Sequence, residues 1–280
     1  MIHIITDTTS GLSPELSNFY HIPVVPQIIN FGNQSFYEGR DIDNAKFMKM
    51  LSTSKELPKT AAPPPELFIQ EFSKLCSGDN TIICLHPSAE VSGTVRSALM
   101  AAQEFPDADI RVIDTRTIGS PLATLVQLAA EWVSKDEEAN DIEQKIKQLI
   151  PRNRLYFVVD TLEYLAKGGR IGGASALLGS VLKIKPILAL NNGRVEPFEK
   201  ERTQKHAINR LIELVKQQAP RNNHAYISIM HAAVPDLALE LSRILCKEFD
   251  LNEIPIMDLP PAIVVHGGPG ILAAAFFIAG

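Results

Sequence analysis

Three short segments of this 280-residue chain combine side-chain donors with glycine or proline in a way that suits an anionic ligand. Near the C-terminus an apolar stretch, residues 261–265, runs into His266-Gly-Gly-Pro-Gly270, and a second apolar stretch, residues 271–279, follows at once. Read as a strand handing over to a helix through glycines, the segment aims backbone N–H groups and the positive end of a helix dipole at whatever lies above the turn. His266 adds a side-chain donor whose charge changes near neutral pH. That chemistry is a cradle for a carboxylate or phosphate. Its first counterpart is Lys59-Thr-Ala-Ala-Pro-Pro-Pro65, a stiff loop with one hydroxyl, Thr60. The second is Ser92-Gly93-Thr94, which follows the strand pattern 81–85 and opens an apolar helix over 94–105. Taken singly, Ser92 reads as a helix N-cap, the proline-rich loop as a connector and the Gly-Pro pair as a turn. Their order and spacing together carry the signal.

Other chemistries fit the residues less well. Ser92, Asp114 and His266 stand in the order of an α/β-hydrolase triad. A nucleophile elbow, however, needs glycine two residues on each side of the serine, where Glu90 and Thr94 stand. Asp7, at the end of the first strand, invites a haloacid-dehalogenase-type phosphatase. That reaction needs a second aspartate two residues on, and Thr9 cannot protonate a leaving group at neutral pH. Asp7 with Thr8-Thr9-Ser10 reads instead as a capped turn. There is no Gly-x4-Gly-Lys-Ser/Thr loop, and Gly168-Gly-Arg-Ile-Gly-Gly173 lacks dinucleotide-fingerprint spacing, so its glycines read as tight turns and close packing. The histidines at 3, 21, 86, 206, 224, 231 and 266 are scattered, with no i, i+4 pair and no Cys-x-x-Cys. No metal site and no cofactor are expected. His206 and His224 read as solvated, and His231, after a strand, as a supporting polar group.

The elements that must hold these segments alternate. Strand patterns cover residues 3–6, 24–30, 81–85, 110–113, 155–159, 186–190, 195–197, 225–230, 255–257 and 263–265. Helix patterns cover 43–52, 65–75, 94–105, 121–133, 141–150, 174–182, 202–218, 235–248 and the terminal stretch. Such alternation predicts an α/β fold with mainly parallel sheets flanked by helices, in which ligands lie beyond the carboxyl ends of the strands. Asn191-Asn-Gly-Arg194 predicts a β-hairpin near 186–198 and marks the second half as a different unit. The expected domains are 1–160 and 161–280. Ser92 falls in the first and His266 in the second, so a ligand touching both lies between the domains.

Composition narrows the class. A hydrophobic content of 45% with 21% charged residues is that of a soluble globular protein, and a net charge of −5 argues against nucleic acid as a partner. Three cysteines without paired spacing suit a reducing cytoplasm. The N-terminus lacks the pattern of a signal peptide, and no apolar run approaches the roughly 20 residues that span a bilayer. Between Tyr164 and Val195 there is no acidic residue, whereas Lys167, Arg170, Lys183, Lys185 and Arg194 are all present, with Lys205 and Arg210 beyond. Such a zone reads either as a solvated face or as a dock for an anionic membrane surface or an acidic partner.

The chain resembles the DegV family of bacterial fatty-acid-binding proteins. The resemblance runs through Ile5-Thr-Asp-Thr-Thr-Ser10, the Thr60 loop, Val91-Ser-Gly-Thr94, Val112-Ile-Asp-Thr115 and Thr161-Leu-Glu-Tyr-Leu-Ala-Lys-Gly-Gly-Arg-Ile171. It continues through Leu182-Lys-Ile-Lys-Pro-Ile187, Lys200-Glu-Arg-Thr203 and the final His-Gly-Gly-Pro-Gly. It implies a fatty-acid carboxylate held by Thr60 and Ser92, with Gly93, His266 and Gly267 as nearby donors and Arg170 as a countercharge. It implies no catalytic residue in this chain. The protein would be the lipid-binding subunit of a bacterial fatty acid kinase, presenting a long-chain fatty acid to a separate ATP-binding subunit for acyl-phosphate formation and phospholipid synthesis. One departure stands out: the family loop commonly reads Thr-Ser-x-Pro-Ser, and here Thr60-Ala61-Ala62-Pro63-Pro64 lacks two of its hydroxyls. Two alternatives stay open. One is the Ser92/His266 hydrolase, and the other is a transport or sensing protein with no kinase partner.

Overall fold

The computed structural model describes residues 1–178, 184–222 and 225–280. Lys183 of the basic zone, Leu182 of the resemblance and His224 lie outside them. The chain falls into two compact units, residues 1–151 with 260–262, and residues 152–259 with 263–280. The passage into the second unit at Arg152 comes earlier than the boundary expected near residue 160.

The first unit contains β1 (Ile2–Asp7), α1 (Pro14–Phe19), β2 (Val24–Val25), β3 (Ile28–Phe31), β4 (Gln34–Tyr37), α2 (Asn44–Thr53) and β5 (Lys59–Ala61). After these come α3 (Pro65–Leu75), β6 (Thr81–His86), α4 (Thr94–Ala102), β7 (Asp109–Asp114), α5 (Ser120–Val133) and α6 (Ala139–Leu149). Its main sheet, in the order β2-β1-β6-β7, is parallel throughout. The strands read as near-continuous apolar runs because helices cover both faces. Phe68 and Phe72 of α3 and Ala98 and Ala101 of α4 pack on Ile5, Ile82 and Cys84. On the other face α5 lies against β1 and β6. The strand pattern 24–30 is split in two. Pro26 supplies no N–H to a ladder, so β2 stays in the parallel sheet while β3 pairs with β4 and β5 in a separate antiparallel sheet. Thr60 therefore sits on a strand opposite Ile29, where the proline-rich sequence predicts a loop.

The second unit contains β8 (Asn153–Val158), α7 (Glu163–Lys167), β9 (Lys185–Asn191), β10 (Arg194–Glu201), α8 (Gln204–Gln218) and β11 (Ser228–His231). These are followed by α9 (Pro235–Phe249), β12 (Ile256–Asp258), α10 (Pro261–Gly267) and β13 (Leu272–Phe277), with the start of α10 grouped in the first unit. Its sheet runs β10-β9-β8-β13-β11-β12, and only the β11–β12 pair is parallel. The mixed α/β class is as expected, but the parallel arrangement belongs to the first unit. β9 and β10 form the predicted hairpin, with Asn192 and Gly193 both at positive φ, as a two-residue turn matched to strand twist requires. The helix expected over 174–182 is a 3-10 segment, Gly172–Leu177, as far as the described residues run.

The largest correction concerns the C-terminal segment. Residues 261–265 begin a helix, and Leu272–Phe277 is a strand buried along its whole length between β8 and β11. A short apolar run fits either element, and periodicity alone does not separate a strand buried on both faces from a buried helix. Pro261 at the first helical position favours the helix start. Gly268 and Gly270, at φ +79° and +90°, turn the chain into the strand. Leu272, Ala274 and Phe276 face the core built with α8 and α9, where Leu211, Val215 and Leu241 are fully or almost fully buried. We expect Phe276→Ala to cost about 3–5 kcal/mol, measured as a lower urea midpoint with an unchanged slope.

Candidate functional site

Parallel strands place their carboxyl ends on one edge of the sheet, and in the first unit that edge carries a buried polar cluster. Asp7 closes β1 and His86 closes β6, and both are fully buried. Asp7 Oδ1 accepts from Thr9 N (3.0 Å), Thr9 Oγ1 (2.7 Å) and Gln27 Nε2 (2.9 Å), and Oδ2 lies 2.8 Å from His86 Nδ1. The capped turn expected at Asp7 is present. Burial and these partners leave neither carboxylate oxygen available to act as a phosphatase nucleophile. The edge of the Phe68–His86 ring pair, 5.1 Å between centroids, closes the cluster from the α3 side.

Ser92 stands on the same edge, in the turn between β6 and α4. Its Oγ lies 2.8 Å from Thr94 Oγ1 and accepts from Thr94 N at 3.3 Å. Gly93 is the N-cap residue of α4, so Ser92 is set one residue outside the helix start. A side chain on Gly93 would meet Ala62 at 3.4 Å, which brings this turn beside the end of the Thr60 strand. The first-turn N–H groups of α4 lack partners within the helix and point toward the turn. Thr60, Ser92 and Gly93 are all half-buried. Asp114, the triad candidate, is taken by Ala89 N, Arg116 N and the Arg116 guanidinium. Among the described residues it orients no histidine.

A second buried carboxyl lies close by. Glu38 accepts from Thr8 Oγ1 and, at 2.7 Å, from Ala262 N at the start of α10. Burial pushes its pKa up to about 7, against the two donors that favour the ionised form, and neighbouring Asp7 adds to the rise. Neither Gln27 nor Glu38 was legible as a site residue, and Thr94 was legible only as part of the Ser92-Gly93-Thr94 turn. Only the hydroxyl-rich run after Asp7 hinted that this edge is polar.

In the second unit His266 lies in the last turn of α10, and the chain proceeds from helix to strand. The expected anion cradle is therefore not formed in the expected way. The helix end there carries carbonyls, Gly268 N donates to Val264 O, and Gly270 N donates to Ala232 O, both at 2.8 Å. The His266 ring fits against Gly168, where an added Cβ would come within 2.3 Å of Nδ1, and a side chain on Gly268 would strike the Tyr164 ring. Arg170 donates to Gly168 O at 2.7 Å. Burial first, and then the nearby Arg170 guanidinium, lower the His266 pKa to about 4. At neutral pH the imidazole is uncharged, which corrects the expectation of a charge change near pH 7. The Gly168-Gly169-Arg170 segment thus seats His266, as its glycines allow. Gly267 is buried beside it.

The basic zone is partly neutralised by acids that flank it. Lys167 pairs with Glu163 and Lys185 with Asp160, at 2.5 and 2.9 Å, and Arg210 is held by Glu199. His206 is exposed, and His231 lies 3.3 Å from Asp258. Among the described residues no His/Cys/Asp/Glu group could hold a metal ion, and no helix is long and apolar enough to cross a membrane.

The family model described as "Uncharacterised protein, DegV family" matches residues 1–279. A DegV domain-containing protein of Streptomyces coelicolor is 35% identical over 273 residues, covering 97% of this chain and 96% of the relative. Among solved structures, a DegV family protein from Thermus thermophilus, described by its fatty acid binding, superposes with a TM-score of 0.91 at 29% identity, over 99% of both chains. DegV from Bacillus subtilis, described as a fatty acid binding protein, gives 0.91 at 28% identity over 99% of both chains.

Glu38 gives this site a pH signature. A carboxyl whose pKa is raised on folding contributes stability that is complete below its unfolded value, near 4.5, and lost as pH rises toward 7. The unfolding free energy of wild type relative to Glu38→Gln should fall across that window by on the order of 3 kcal/mol. The difference between the two proteins cancels the opposite slope from His266. Urea titrations at a series of pH values measure it, and parallel curves would contradict the assignment.

Proposed function

This chain belongs to the DegV family, and from that premise we propose that it binds one long-chain fatty acid, with the carboxylate received by the hydroxyls of Thr60 and Ser92. Gly93 N–H adds a third donor. The observation that carries the reading is the half-buried Ser92 hydroxyl, set beside the Thr60 strand at the carboxyl edge of a parallel sheet. Solved relatives of the same family are described as binding fatty acids.

The energetics suit such a ligand. A tail of about 14 methylenes at about 0.8 kcal/mol each offers roughly 11 kcal/mol of transfer free energy. Ordering the tail and restricting its translation take back part of that. The head group then needs orienting donors more than a buried ion pair, which would bear a large desolvation cost. Neutral hydroxyls and backbone N–H groups meet that need.

The chain carries no nucleotide-binding loop, so any phosphoryl transfer to the bound carboxylate belongs to a separate ATP-binding kinase subunit. On this reading the protein is a substrate-carrying subunit working in the cytoplasm. Its basic stretch meets an anionic membrane surface transiently when ligand is exchanged. Charge reversal at Lys183 and Lys185 that left vesicle binding unchanged would remove that last element.

Ser92→Ala should weaken fatty-acid binding by about 1–3 kcal/mol, the cost of leaving a buried acceptor without its donor. Titration with a fluorescent fatty acid checks this, and unchanged affinity would remove Ser92 from the site. The kinase role is read separately. ATP and a bacterial fatty acid kinase subunit should yield an acyl phosphate that hydroxylamine traps. Binding without that product would favour a transport or sensing role.

A further inference from the structure

The direction of every hydrogen bond leading to Ser92 can be assigned from the partners alone. Gln27, 3% exposed, places its amide nitrogen 2.9 Å from Asp7 Oδ1 and 2.8 Å from Thr94 Oγ1. Asp7 Oδ1 already accepts from the amide and hydroxyl of Thr9, so it is an acceptor here too, and the Gln27 amide must face it with N–H. An amide nitrogen has two hydrogens, and its second goes to Thr94 Oγ1. The Thr94 hydroxyl therefore accepts from Gln27 and still has one proton to place.

Thr94 is fully buried, so that proton cannot go to water. Among the described residues the acceptor within hydrogen-bonding distance is Ser92 Oγ, at 2.8 Å. Leaving a buried hydroxyl proton unbonded is costly, which fixes the direction as Thr94 O–H to Ser92 Oγ. Ser92 Oγ also accepts the N–H of Thr94 at 3.3 Å. Both of its lone pairs are then engaged from inside the protein, and its own proton is the part left to face a ligand.

We propose that Gln27 and Thr94 are positioning residues that lock Ser92 as a hydrogen-bond donor, so that this point of the site selects head groups that only accept. The inference rests on the fatty-acid reading and adds its specificity. A carboxylate satisfies a donor-only serine completely. A fatty alcohol brings a hydroxyl proton of its own and finds no acceptor at Ser92. Gln27 thus donates both to the buried Asp7 carboxylate and to Thr94, Thr94 donates to Ser92, and the half-buried Ser92 hydroxyl is left to donate outward.

The test compares dodecanoate with 1-dodecanol, each displacing a fluorescent fatty acid. Wild type should prefer the carboxylate. Thr94→Val, which keeps the shape and removes the hydroxyl, frees a lone pair on Ser92. Dodecanoate affinity should then fall about tenfold while dodecanol affinity stays within about twofold, so the preference shrinks about tenfold. Thr94→Ser should restore it. Should Thr94→Val fail to fold, Gln27→Met makes the same test, because without the amide Thr94 is free to accept from Ser92. A purely structural role would weaken both ligands alike and leave their ratio at the wild-type value, which would overturn the inference alone. Wild-type protein that bound neither ligand nor the fluorescent probe would overturn the fatty-acid reading, and the inference with it.

Discussion

Asp7 is the constraint on which the candidate site depends. A carboxyl group at the end of a central parallel strand, fully buried, is tolerable only where donors surround it, and Thr9, Gln27 and His86 supply them. Each donor comes from a different part of the first unit: the turn after β1, the segment after Pro26, and the end of β6. The carboxyl group therefore fixes where these parts meet. Remove it and several buried donors lose their acceptor together, a cost that falls on the sheet edge as a whole. The Ser92 turn is tied into the same network through Gln27 and Thr94.

Much of the first unit was legible because its strands obey simple rules. Ile2–Asp7 and Thr81–His86 are apolar in their middles, at Ile4-Ile5 and Ile82-Ile-Cys-Leu85, as parallel strands covered on both faces must be, and turn polar at their carboxyl ends, while the helices between them keep an amphipathic period. Pairing across 20 to 80 residues was not legible. Nothing local in Gln27 says that its amide meets Asp7 and Thr94, because that contact exists only once β1, β6 and α4 are assembled. Thr60 shows the complementary failure. Its prolines argue for a loop, yet they begin just after the short segment that pairs with β3.

The second unit was read less well, and for a physical reason. The stretch Leu272–Phe277 is apolar on both faces, so no period distinguishes a strand from a helix, and its three consecutive alanines favour the helix locally. Pairing on both sides, with β8 and β11, overrides that preference. The misreading also inverted the electrostatics around His266. A helix C-terminus offers carbonyls, and a seat against Gly168 near Arg170 keeps the imidazole neutral. His266 was legible as a residue of interest, but its charge state required the fold.

The central claim is the proposal that the donor-lined edge at Thr60 and Ser92 receives the carboxylate of a long-chain fatty acid. The most direct measurement is mass spectrometry of the organic extract of freshly purified protein, quantified against protein concentration, with added fatty acid titrated into any empty fraction. The account predicts a near-stoichiometric fatty acid, or its uptake when supplied. An empty extract from protein that also fails to take up added fatty acid would contradict it.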